Sequence, residues 1–121
     1  MNETRPDEHL LVNSNELILV SASDASGTPH EAALPFVYED GVIYVLADKG
    51  ADWYRNVERD KGVVVRIGRR GFRGRAKLVD ARQRARMAEQ IASRFKKKYR
   101  GSALKGPDPR QLLPVTIDIQ F

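Results

Sequence analysis

The chain has 121 residues, 41% hydrophobic and 31% charged, with no cysteine and a net charge of +5. That length supports one hydrophobic core and one domain, and the lack of cysteine excludes disulfides, thiolate catalysis and thiolate-held zinc or iron–sulfur centres. Two histidines, His9 and His30, are too few for an imidazole-rich metal site.

The charge is unevenly spread. Residues 1–60 carry twelve acids against four bases, and residues 61–121 carry four acids against seventeen bases. Within one fold this makes one surface basic and suited to phosphate, a carboxylate ligand, nucleic acid or an acidic face of a partner subunit. The competing reading is a solvated face that keeps the protein soluble. Residues 1–8 are polar and acidic, unlike the basic and then apolar start of a signal peptide, and no apolar run approaches bilayer length. The expected location is the cytoplasm, without membrane partners, and the expected domain spans residues 1–121 with a flexible first dozen.

In chain order, Leu17-Ile18-Leu19-Val20-Ser21-Ala22 is a strand closed by a turn at Asp24-Ala25-Ser26-Gly27. A second strand runs from residue 30 to 38, with Leu34, Phe36 and Tyr38 at period two. Asp40-Gly41 then supplies the positive-φ pair that a hairpin needs, before a third strand over residues 42–47. Asp52 is placed to cap a short helix, in which Trp53 and Val57 share a face as far as Asp60, with Gly62 as its stop. Val63-Val64-Val65-Arg66-Ile67 is a β-branched strand that turns at residues 68–71.

In the next strand Phe72, Gly74, Ala76 and Leu78 fall on one face, with Arg73, Arg75 and Lys77 on the other. Asp80 and Gln83 form a capping-box-like pair ahead of a long helix, along which Met87, Ile91, Phe95 and Tyr99 recur until Gly101. Gly106-Pro107-Asp108-Pro109 is a rigid connector, and Val115, Ile117, Ile119 and Phe121 alternate along a last strand. Six strands with hairpin-length connections imply an antiparallel sheet that curls and closes to remove its edges.

No paired carboxylates, Ser/His/Asp arrangement or nucleotide-binding glycine fingerprint stands out. The glycines at 68, 71 and 74 lie in a turn and a strand and open no helix. What remains is Ala47-Asp48-Lys49-Gly50-Ala51-Asp52-Trp53-Tyr54-Arg55-Asn56, in which a strand end, a lysine and a glycine run into a helix start. Free N–H groups and Lys49 favour an anion there, whereas Asp48 and Asp52 oppose one. A simple strand-to-helix turn with Trp53 plugging the core accounts for the segment equally well.

Thr28-Pro29-His30 after Ser26-Gly27, Asp40-Gly41 before a strand, Lys49-Gly50 and Trp53-Tyr54-Arg55-Asn56 resemble the deazaflavin-dependent nitroreductase-like family of the pyridoxamine-phosphate-oxidase-like split barrels. The match runs over about residues 17–80. The resemblance implies a mainly β, six-stranded antiparallel split β-barrel with one short and one long helix, and a homodimer with the ring near the subunit interface. It further implies an oxidoreductase using a deazaflavin coenzyme or FMN and a small-molecule redox substrate. By position, His30 stands where the family usually has arginine, and Ala32, Ala33, Leu34 and Pro35 run along the ring. Asp48, Lys49 and Gly50 fall on the phosphate turn, with Asp48 where a small hydroxyl residue is common, and Trp53, Tyr54 and Asn56 lie on the helix behind.

The cationic strand face of Arg73, Arg75 and Lys77 and the cations of Arg94-Phe95-Lys96-Lys97-Lys98-Tyr99-Arg100 suit the coenzyme's polyglutamate tail, which favours deazaflavin over FMN. Hydride transfer is the cofactor's chemistry, so no catalytic side chain is required. Tyr38, Tyr44 and Tyr54 are the phenols available to a substrate. The rivals are a single-strand nucleic-acid module built on the arginine–glycine tract at 68–75, disfavoured because the tract alternates like a strand, and a non-catalytic flavin-binding protein.

Overall fold

The computed structural model describes residues 8–22, 28–99 and 112–120. Its elements are α1 (Glu8–Asn13), β1 (Glu16–Ala22), β2 (Pro29–Pro35), β3 (Val37–Glu39), β4 (Val42–Ala47), α2 (Asp52–Arg59), β5 (Gly62–Ile67), β6 (Arg70–Leu78), a 3-10 turn (Ala81–Gln83), α3 (Arg84–Lys98) and β7 (Leu113–Gln120). The expected turn at 24–27, the stop at Gly101, the connector at 106–109 and Phe121 lie outside the described residues.

The strands form one sheet in the order β2-β1-β5-β6-β7-β4-β3, with every pairing antiparallel. β2 and β3 stand at opposite ends of that order, yet only Phe36 separates them in the chain. Chain continuity therefore brings the two ends together, and the sheet curls into a split barrel. The expected six strands are seven because the second breaks at Phe36, next to Pro35, which has no N–H for a ladder. The freed groups of Phe36 are met by the end of α3: its N–H donates to Tyr99 Oη (3.1 Å), and its carbonyl accepts from Lys98 Nζ (2.8 Å) and faces Tyr99 Oη at 3.0 Å.

Alternation decides which side chains fill the interior. Leu17 and Leu19, Ile43 and Val45, Val63 and Val65, Phe72 and Ala76, and Val115 and Ile117 are buried in one core, joined by Trp53, Tyr54 and Val57 of α2 and Leu11 of α1. On β6 the face holding Phe72, Gly74 and Ala76 is buried and Arg73, Arg75 and Lys77 are exposed, as period two requires. The arginine–glycine tract is thus a hairpin and a strand. Asp40 (φ 50°) and Gly41 (φ 85°) make the two-residue turn between β3 and β4, where Glu39 pairs with Val42.

Three local expectations need correction. Residues 8–12 belong to helix α1, held by fully buried Leu11 and by Tyr38 Oη, which donates to Glu8 Oε2 at 2.6 Å. Asp52 is the first residue of α2 and does not cap it; the cap position is Ala51, without a side-chain bond, and the helix ends at Arg59. Asp80 accepts from the Arg82 N–H (3.0 Å) and so caps the 3-10 turn, while α3 starts only at Arg84. α3 lies against β7, β4 and β3 and buries Ala88, Ile91, Ala92 and Phe95, with Tyr99 as its C-cap.

Candidate functional site

The barrel interior is filled by its own side chains, so a planar ring has to lie outside it. The barrel end covered by α2 offers a place. Trp53 and Tyr54, edge to face with ring centroids 6.2 Å apart, turn into the core and fix the roll of the helix. One turn on, Asn56 is 4% exposed; its Nδ2 donates to Ser21 Oγ (3.2 Å) and its Oδ1 accepts from Arg59 Nη2 (2.6 Å). Ser21 pairs with His30 across the β1–β2 ladder, which sets His30 beside the same helix.

His30, Asp52, Arg55, Asn56, Glu58 and Arg59 line a cleft of about 580 Å³ between β2 and α2. Asp52 and Glu58 share the lining with Arg55 and Arg59, so affinity for an anion rests on directed N–H donors more than on net charge. Beside it, β2 is bonded only to β1; Ala32 is half-buried, Ala33 and Pro35 are exposed and Leu34 is buried.

Of the residues expected at the site, His30 and Asn56 line this cleft. Ala32, Ala33, Leu34 and Pro35 continue from it along β2, and Trp53 and Tyr54 support it from the core side. Asp48, Lys49 and Gly50 are exposed in the turn that precedes α2, where the Ala51 N–H donates to the Asp48 carbonyl at 3.0 Å, and they are not among the cleft's lining residues. Arg55 and Arg59 were not anticipated; their i, i+4 spacing on the polar face of an amphipathic helix was the available signal.

The cationic run of α3 lies elsewhere: Arg94, Lys97 and Lys98 line a groove against β3 and α1 that shares no residue with the α2–β2 cleft. The tail argument for deazaflavin over FMN therefore finds no support in the geometry. The phenols are engaged away from the cleft too. Tyr38 is bonded to Glu8, Tyr44 lies under the Arg94 guanidinium at 5.0 Å, and Tyr54 is buried. Among the described residues no group of three or more His, Asp or Glu side chains is placed to hold a metal ion, and no helix is long and apolar enough to cross a membrane.

The family described as F420H(2)-dependent quinone reductase matches residues 6–119. The chain belongs to that family. It is accordingly related to deazaflavin oxidoreductases, and the expected cofactor, the deazaflavin coenzyme or FMN, agrees with the family. The fold is shared with solved structures of low identity. A candidate 5-nitroimidazole antibiotic resistance protein from Bacteroides thetaiotaomicron is 12% identical, with TM-score 0.76 over 100% of this chain and 82% of that one. An F420 reductase is 16% identical, with TM-score 0.71 over 98% and 96% of the two chains. A candidate pyridoxamine 5'-phosphate oxidase from Listeria innocua is 19% identical, with TM-score 0.70 over 94% and 90%. No curated protein matches the chain.

The residues present suit such a group. The small, exposed side chain of Ala33 leaves room for a flat ring against the outer face of the strand, and Arg55 offers a planar fork of donors for a phosphate. The cleft volume is in the range of small-molecule sites.

Proposed function

We propose that the chain is a cytoplasmic oxidoreductase that passes a hydride from the reduced deazaflavin coenzyme to a small quinone-type acceptor, with the coenzyme held outside the barrel between β2 and α2. The observation that carries this reading is the cleft that sets Arg55 and Arg59 of α2 opposite His30 of β2. When bound, the coenzyme supplies the hydride chemistry. The protein's part is binding and alignment. Arg55 and Arg59 would hold the phosphate, with Lys49 at the neighbouring turn adding positive charge, and the outward-facing Ala33 and Pro35 would flank the ring, backed by Ala32 and Leu34 on the core side. Asn56, tied to Ser21, keeps Arg59 in position. His30, which lines the same cleft, would be a β2 side chain available to hydrogen-bond the bound coenzyme or its acceptor.

A second copy of the chain completes the enzyme in this reading. Adjacent positions on β2, β1 and β5 carry Ala33 beside Ile18 and Val20 beside Val64, apolar positions crossed by the exposed Arg66–Glu31 ion pair, with Val64 38% exposed.

The test is titration with the oxidised coenzyme, followed by its fluorescence, and with FMN for comparison. The deazaflavin is expected to bind below roughly 100 μM, about −5.5 kcal/mol, and Arg55→Ala to weaken it about tenfold or more. Reduced coenzyme should then be reoxidised by a soluble naphthoquinone only in the presence of the protein. Absence of binding at that concentration, or an Arg55→Ala variant that binds as the parent does, would overturn the assignment.

A further inference from the structure

A larger groove, about 740 Å³, lies at the other end of the bent β2–β3 segment, between α1, β3 and α3. One wall is cationic. Gln90, Ser93, Arg94, Lys97 and Lys98 are spaced three and four apart and so share a face of α3. The other wall is apolar, with Val37 from β3 and Val12 from α1, the latter 57% exposed and one of two large hydrophobics exposed among the described residues. Acidic opposition is weak. Glu39 reaches Arg94 at 3.5 Å as a surface pair, and Glu8 is bonded to Tyr38. Lys97 has no ion-pair partner among the described residues, and Lys98 is half-buried, its Nζ over the Phe36 ring at 3.8 Å.

We propose that this groove binds a small apolar carboxylate, whose charged end is held by Arg94, Lys97 and Lys98 and whose hydrocarbon lies against Val12 and Val37. Charge complementarity selects the anion, and the exposed valine selects its apolar body. The burial that lowers the Lys98 ammonium marks a positive group lacking a counterion, which a carboxylate would supply.

The experiment uses the full chain and 2-naphthoate as probe, followed by amide chemical shifts. Saturable shifts are expected at Val12, Val37 and Lys97, unchanged by saturating deazaflavin coenzyme. Lys97→Glu should weaken the probe about tenfold and Val12→Ser several-fold, whereas Arg75→Glu, an equal charge change on exposed β6, should leave it unaltered. Displacement of the probe by the coenzyme would overturn the proposal by making the groove part of the coenzyme site. So would shifts confined to the α2–β2 cleft, equal weakening by Arg75→Glu, or no saturable shift. The saturable shifts and the Lys97→Glu, Val12→Ser and Arg75→Glu comparisons are read without coenzyme, so on these this site stands or falls whether or not the coenzyme binds at α2.

Discussion

Gly74 is needed for its missing side chain. A Cβ there would stand 2.7 Å from Ile117 Cγ2 and 3.3 Å from the Asp118 carbonyl, because β6 and β7 approach closely at this point. Gly74→Ala is expected to cost about 1–3 kcal/mol, read from the urea midpoint. Gly71→Ala, whose Cβ would meet only Val64 Cγ1 at 3.8 Å, should cost little. The burial of position 74 was legible in the alternation of β6, but the close approach of β7 was not, since a pairing partner as distant in the chain as Ile119 leaves no local trace. Lys98 illustrates the same limit. In the sequence it belongs to a cationic run, whereas in the fold burial pushes its ammonium from 10.5 down to about 8. The unfolded chain therefore binds more protons between those values, so this group's contribution to stability rises with pH across that window and is least favourable below about pH 8. The urea midpoint of the parent is expected to gain on that of Lys98→Met between about pH 7.5 and about pH 9.5. Tyr99, whose hydroxyl burial pushes upward, stays neutral over that range.

Elements with one buried face were readable from their spacing. β1, β4, β5, β6 and β7 all show it, and the Asp40-Gly41 hairpin follows from the φ values those residues tolerate. The bend at Phe36 was carried by Pro35, a proline in an apparently continuous strand, although its consequence depends on α3. Tyr99 Oη accepts from the Phe36 N–H and directs its single hydrogen toward the carbonyls of Asn15 (2.6 Å) and Phe36 (3.0 Å). Tyr99→Phe would leave the Phe36 N–H and the Asn15 carbonyl without this partner, while the Phe36 carbonyl keeps Lys98 Nζ, with an expected loss of about 1–3 kcal/mol in thermal or urea unfolding. α1 was missed because six residues give too little periodicity to separate a helix from a frayed end. Two of the six residues lining the cleft, His30 and Asn56, were legible. The arginines were not singled out because Trp53-Tyr54 and Lys49-Gly50 drew the reading toward the turn and away from the outer face of α2.

At the scale of the whole molecule, the barrel has a covered side and a bare one. α3 shields β3, β4 and β7, while β2, β1 and β5 present Val20 beside Val64. If two copies meet on that patch, a further positive charge beside Arg73, the cross-strand neighbour of Val64, would be desolvated without a partner. Val64→Lys, at a position already 38% exposed, is expected to leave each copy folded and to halve the mass seen in sedimentation. An unchanged mass would exclude this face as the contact.

The position of β7 bears on how the chain acquires its shape during synthesis. β1 with β2, β3 with β4 and β5 with β6 are neighbours in sequence and join soon after each is made, but β7 is inserted between β4 and β6. Until residues 113–120 leave the ribosome, both of those strands keep a raw edge, and the nascent chain is most exposed to wrong partners in that interval.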